Sequence, residues 1–182
     1  MPRHIAWFNE APIEPDPKGG LRSTDERVRR RCLEPACALE DLGIDCSVFG
    51  NLHDADPSEV SKLLQKLKTD IVVIGCFSDP SLLKLARAAK HLGCYIVADF
   101  ANQTNLSEDF EKLAALADQI IAATPEASEF LKSKNIVSLL IADADPDHDA
   151  KIVAEAWLAC FKTLKMKPPA CANTNTPPAD NG

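Results

Sequence analysis

The sequence alternates short, branched apolar runs with longer amphipathic stretches at a nearly constant interval. Apolar runs lie at 4–8, 44–49, 70–76, 94–100, 119–123 and 136–142. The third contains Ile71-Val72-Val73-Ile74 without polar alternation, which suits a strand buried on both faces of a parallel sheet. Between the runs, helical periodicity appears. Val60, Leu63, Leu64 and Leu67 recur at i, i+3, i+4, i+7 behind Asp56-Pro57, a cap followed by a first-turn proline. Asp79-Pro80 opens the next helix in the same way, and Leu82, Leu83, Leu85, Ala86 and Ala89 follow. Ser23, Thr24 and Asp25 are candidate caps for a helix over 24–42 that stops at Gly43, and Gly93 stops another. Further helices are predicted over 106–117, 125–133 and 147–164.

Strict β-α alternation implies an α/β domain: a single doubly wound parallel sheet of about six strands, with right-handed crossovers and helices on both faces. Such Rossmann-like folds bind ligands at the carboxyl ends of their strands. The 182 residues suffice for one domain over 1–166, and the Pro-, Asn- and Thr-rich 167–182 reads as a disordered tail. A net charge of −7 argues against generic binding to nucleic acid or an anionic membrane. The seven cysteines form an odd set without a C-x-x-C pair, which fits neither a disulfide framework nor a zinc site. Cys46, Cys76 and Cys94 read as small buried hydrophobes. With no apolar run approaching a membrane span or signal segment, the expected compartment is the cytoplasm.

Four places could carry chemistry. The connection from the first strand to the first helix is unusually long and contains Lys18-Gly19-Gly20. Gly19 and Gly20 could let the backbone approach an anion ahead of the helix, or could simply form a turn. No dinucleotide or P-loop motif accompanies them, so no cofactor is expected. Arg27, Arg29, Arg30 and Arg31 form a basic run, with Arg27 and Arg31 on one face at i, i+4. They read either as a solvated face offset by Asp25, Glu26 and Glu34 or as a phosphate-recognising group. Pro35 should kink or shorten this helix. Asp99 closes the run Tyr95-Ile96-Val97-Ala98, and Asn102, Gln103, Thr104 and Asn105 follow it. That carboxylate could act as general base or hold a sugar hydroxyl, or could fix the loop. The acidic stretch Asp143, Asp145, Asp147, Asp149 lacks the glycine and glutamate of a calcium loop, so no metal is expected and the run reads as an acidic first turn.

Taken together, these residues resemble the amino-terminal, acceptor-side domain of GT-B glycosyltransferases of the family 4-like kind. In that family a stretch R-x-R-x-x-x-P-x-x-x-L-x-x-x-G follows the first loop, and Arg29, Arg31, Pro35, Leu39 and Gly43 match it. Leu85-Ala86-Arg87 through Gly93 to Asp99 match a looser stretch, and Ala117, Asp118, Thr124 and Pro125 match an A-D…T-P pattern. The resemblance covers about residues 4 to 145. It implies a half-enzyme, not catalytic by itself, whose nucleotide-sugar donor would need a second domain or subunit. It also implies acceptor or phosphate contacts at Gly19, Gly20, Arg27, Arg29, Arg31, Asn102 and Thr124, with Asp99 as base or hydroxyl anchor. The alternative is a non-catalytic module that binds a sugar, nucleotide or phosphate ligand or a protein partner, as a homo- or hetero-oligomer.

Overall fold

The computed structural model describes residues 2–52, 54–75, 80–103, 105–144 and 149–165. In chain order the elements begin with β1 (His4–Phe8), β2 (Glu14–Pro15), β3 (Leu21–Arg22) and α1 (Glu26–Val28). A π-helical turn, Arg29–Leu33, runs into α2 (Glu34–Asp41), followed by β4 (Asp45–Phe49), α3 (Pro57–Leu67) and β5 (Ile71–Ile74). Then come α4 (Pro80–His91), β6 (Tyr95–Ala101), α5 (Glu108–Leu116), β7 (Gln119–Ala122), α6 (Pro125–Ser133), β8 (Leu139–Leu140) and α7 (Ala150–Lys165).

Six strands form one parallel sheet in the order β4-β1-β5-β6-β7-β8. The expected doubly wound, Rossmann-like architecture is therefore present. Period-two alternation splits β1 between two cores. Ile5 and Trp7 join Val28, Leu39, Val97, Trp157 and Phe161 beneath the 26–41 helical stretch and α7. Ala6 and Phe8 join Leu64, Leu85, Phe100, Phe110 and Leu131 beneath α3 to α6. Every residue of β5 is fully buried, because both faces of that strand are covered. On the first face Trp7 and Trp157 meet edge to face at 4.9 Å between ring centroids.

Local signals place the helix ends. Asp56 caps α3 through the Ser58 N–H, and Gly43 and Gly93 take positive φ angles of 80° and 83° where their helices stop. Of the three candidate caps for the first helix, Asp25 is the one used, accepting from the N–H groups of Arg27 and Val28.

Pro35 neither breaks nor ends its helix. It lacks an N–H, and its ring would press on the carbonyl of the preceding turn. The chain answers by widening that turn, so that Glu34 N–H reaches Arg29 O, five residues back. The long first connection has structure of its own. It folds into an antiparallel ribbon pairing Glu14 with Arg22 and Pro15 with Leu21, two residues per strand. The Asp79 cap and the 167–182 tail lie outside the described residues.

Candidate functional site at the carboxyl ends of the strands

The order of the strands reverses once, at β1: β4 lies on one side of it and β5 on the other. The ends of β1 and β5 therefore border the crevice where open α/β sheets take their ligands. Asn9, the first residue after β1, is 1% exposed there. Its N–H donates to Phe49 O at 2.9 Å, and its side-chain Nδ2 donates to Cys32 Sγ at 3.1 Å. Beside it, Gly75 follows β5 and is also buried, and a Cβ at that position would come within 2.7 Å of Asn9 Oδ1. Glycine is required here for close approach, not for an unusual backbone angle.

At the next strand, β6, the rim is filled by a charged pair. Arg31 leaves the π-helical turn and enters the interior. Its Nε donates to Asp99 Oδ2 at 2.9 Å and its Nη2 to Asp99 Oδ1 at 2.6 Å, a two-pronged pair. Nη1 donates to Ile141 O at 2.6 Å and to Asp143 Oδ1 at 3.1 Å, just beyond β8. The guanidinium carbon lies 5.7 Å from the centroid of the Trp157 ring on α7. The side chains of Arg31 and Asp99 are 2% and 1% exposed. Burial would lower the pKa of Arg31, but Asp99 and Asp143 outweigh it and hold the guanidinium above its ordinary value. One arginine thus ties the first helical stretch to β6, to the segment after β8 and to α7.

Asp99 has a further task. Its Oδ1 accepts the Ala101 N–H at 3.1 Å, across a bulge between Asp99 and Ala101 in the β6–β7 ladder. Ala101 sits at φ 55°, a left-handed conformation uncommon for alanine. The carboxylate therefore organises the strand end as well as neutralising Arg31. Both its oxygens accept from inward partners.

The remaining sequence-predicted residues do not converge. Gly19 and Gly20 take φ of 101° and 83° at the tip of the β2–β3 ribbon, where Asp16 N–H reaches Gly20 O and Gly19 N–H reaches Asp16 O. They make the turn. Arg27 bends back onto the cap Asp25 at 3.1 Å. Arg29 meets Glu34 and Glu26, and Arg30 meets Glu26. Arg27 is exposed while Arg31 points inward, so the shared i, i+4 face does not gather two guanidinium groups around one ligand. Thr124 caps α6, accepting the Ala127 N–H. Asn102 is exposed in the turn after β6. Asp118 holds Lys90 Nζ with both oxygens at 2.6 Å and accepts the Ile96 N–H.

Sequence reasoning missed Asn9. The available signal was a single amide placed directly after five apolar-run residues, but its meaning depends on strand order. Two cysteines are made inert by their surroundings: burial, aided by Glu40, pushes the Cys46 thiol up to about 12, and burial pushes Cys160 to about 12. Among the described residues no group of three or more His, Cys, Asp or Glu is arranged to hold a metal ion, and no helix is long and apolar enough to cross a membrane. Asp145, Asp147 and His148 of the acidic run lie outside the described residues, as does Cys76.

No protein-family profile matches the sequence, and no curated protein does. Among solved structures, MurG of Acinetobacter baumannii aligns with 69% of this chain and 42% of its own, at 15% identity and a TM-score of 0.49. Anabaena HepE, solved in complex with UDP-glucose, aligns with 85% of this chain and 50% of its own, at 14% identity and a TM-score of 0.46. A de novo designed Rossmann 2x3 protein aligns over 95% of this chain and 98% of its own, at 11% identity and a TM-score of 0.38. The chain spans half or less of the length of MurG and HepE.

Proposed function

We propose that this chain is a glycosyltransferase-like domain of the GT-B acceptor-side kind, family 4-like, that binds a ligand without catalysing transfer alone. The observation that supports this reading is the buried, two-pronged pairing of Arg31 with Asp99. A general base needs a lone pair directed at the proton it removes. Asp99, the carboxylate at the matching position, directs its oxygens at Arg31 and Ala101 instead. The binding role falls to the rim at the ends of β1 and β5, where Asn9 and Gly75 lie. A sugar, nucleotide or phosphate group is the ligand class of the non-catalytic alternative.

The test combines binding with turnover on the full 182-residue chain. UDP-glucose, glucose 1-phosphate and inorganic phosphate serve as probes in thermal-shift and calorimetric titrations, and product formation is followed with simple sugar acceptors. The expected result is stabilisation by at least one probe, its loss in Asn9→Ala, and no product. Product formation that disappears in a folded Asp99→Asn variant would overturn the non-catalytic reading. Failure of every probe to bind would overturn the ligand assignment.

A further inference from the structure

The charges of this chain are divided along the strand direction. Connections leaving the carboxyl ends of the strands carry acids: Glu10, Glu14, Asp16 and Asp25 after β1, and Asp54 and Asp56 after β4. Asp143 and Asp149 follow β8. The rest of these connections adds further acids in the sequence and, apart from Lys18 and Arg22, no Lys or Arg. Arg22 meets Glu14 at 3.3 Å, and Lys18 stands at the exposed tip of the ribbon, its N–H on Asp16 Oδ1. Basic residues gather at the opposite ends of the helices, with Lys66, Lys90 and Lys132 in last turns.

The helix starts at this rim are occupied too. An α/β fold takes a phosphate on the open N–H groups of a helix start. Here Asp25 accepts from the N–H groups of Arg27 and Val28, Asp56 from that of Ser58, and Asp149 from that of Lys151. Ser107 and Thr124 fill the starts of α5 and α6. At three of these starts a carboxylate thus stands where a phosphate would bind. The arginines behind the first start are committed as well: Arg27 to Asp25, Arg29 to Glu34, Arg30 to Glu26 and Arg31 to Asp99.

We propose, resting on the ligand reading above, that the rim recognises its ligand through uncharged hydroxyl groups, as on a pentose or hexose ring. Any phosphate the ligand carries is left in solvent, and the Asp25 carboxylate contributes to that preference. Asp25 and Cys32 belong to one helical stretch, and Cys32 touches Asn9. Two helical turns place the Asp25 carboxylate about 10 Å beyond Cys32, on the outer side of the rim. Over that distance a phosphate is repelled at low ionic strength, while a hydroxyl group is not. The net charge of −7 acts in the same direction.

Calorimetric titration of the full chain with UDP-glucose and glucose 1-phosphate, at low and at physiological salt, tests this. Whichever of the two binds is expected to be displaced by uridine or by glucose and not by inorganic phosphate. Displacement by uridine identifies a pentose as the recognised ring, and displacement by glucose a hexose. Affinity should rise with salt, as repulsion of the phosphate is screened. Asp25→Asn keeps a helix cap and removes the charge. At low salt it should strengthen binding of the sugar phosphate about two- to fivefold, and more than it strengthens the competing uncharged ring. Far-UV circular dichroism checks that the variant is folded; should it not fold, competition and salt dependence in the wild type still decide. Binding of inorganic phosphate, or an affinity that falls with salt, overturns the proposal and leaves the ligand reading standing. A folded Asp25→Asn variant without selective gain removes Asp25 from it. Failure of UDP-glucose, glucose 1-phosphate and phosphate alike to bind overturns the ligand reading itself.

Discussion

The carboxyl-end rim has two parts that solve the same problem differently. Between β1 and β5 the chain ends meet through a neutral amide, Asn9, set against a residue with no side chain, Gly75. At β6 the space is taken by a charged pair, Arg31 and Asp99, sealed under Trp157. One helical turn serves both parts. The π-helical stretch presents Cys32 to Asn9 and Arg31 to Asp99 on successive residues. The difference teaches that a carboxylate at a strand end is not by itself a reactive group. What decides its use is whether a cation already occupies it.

The comparison can be broken most forcefully at Arg31. Arg31→Met leaves Asp99 buried without a counter-charge, and urea denaturation should show a loss of about 3–5 kcal/mol. A loss under about 1 kcal/mol would mean that the pair is not sealed.

On the neutral side, Gly75→Ala forces its new Cβ toward Asn9 Oδ1. The expected cost is about 1–3 kcal/mol by the same measurement, and Asn9→Ala in the same chain should recover part of it. Additive losses would show that the two residues do not press on each other. A smaller effect is expected at Asp25, whose side chain caps the helical stretch carrying both Cys32 and Arg31. Asp25→Ala should cost about 1 kcal/mol in thermal or chemical unfolding.

His4 marks the other end of β1 from Asn9. Its ring nitrogens lie 2.9 Å from Thr69 Oγ1 and Ser47 Oγ, and burial lowers its pKa below 6.5 more than Asp45 and Asp70 raise it. The unfolded chain takes up this proton near pH 6.5, the folded chain only at lower pH. The contribution is therefore fully present above 6.5 and is lost as pH falls below it. His4→Gln should flatten that part of the stability profile between pH 7 and 5, and unchanged curvature would contradict the assignment. The smallest effects belong to Arg27→Ala and Arg29→Ala, whose exposed pairs should each contribute less than about 0.5 kcal/mol.

Much of the fold was legible because its signals are local. Ile71–Ile74 had to be a doubly buried strand, Asp56-Pro57 had to open a helix, and Gly43 and Gly93 had to close two. The Gly19-Gly20 ribbon was not legible as a ribbon, since two residues per strand leave no alternation to detect. The site was legible only as a list of names. Arg31 and Asp99 were both singled out, yet their pairing spans 68 residues and depends on the turn that Pro35 widens. Neighbouring arginines with the same local surroundings could not be told apart until that turn aimed one of them inward. Asn9 and Gly75 acquire meaning only once β5, rather than β4, is known to flank β1 on that side.

A double-mutant cycle on Arg31 and Asp99, measured by urea denaturation, shows whether the arginine holds the carboxylate. Arg31→Met and Asp99→Leu should each be strongly destabilising, and the double variant should lose several kcal/mol less than their sum, about 2–3 kcal/mol of coupling. Additive losses, together with a ligand affinity or turnover that vanishes in Asp99→Asn at unchanged stability, would contradict it and return Asp99 to the role of a reacting carboxylate.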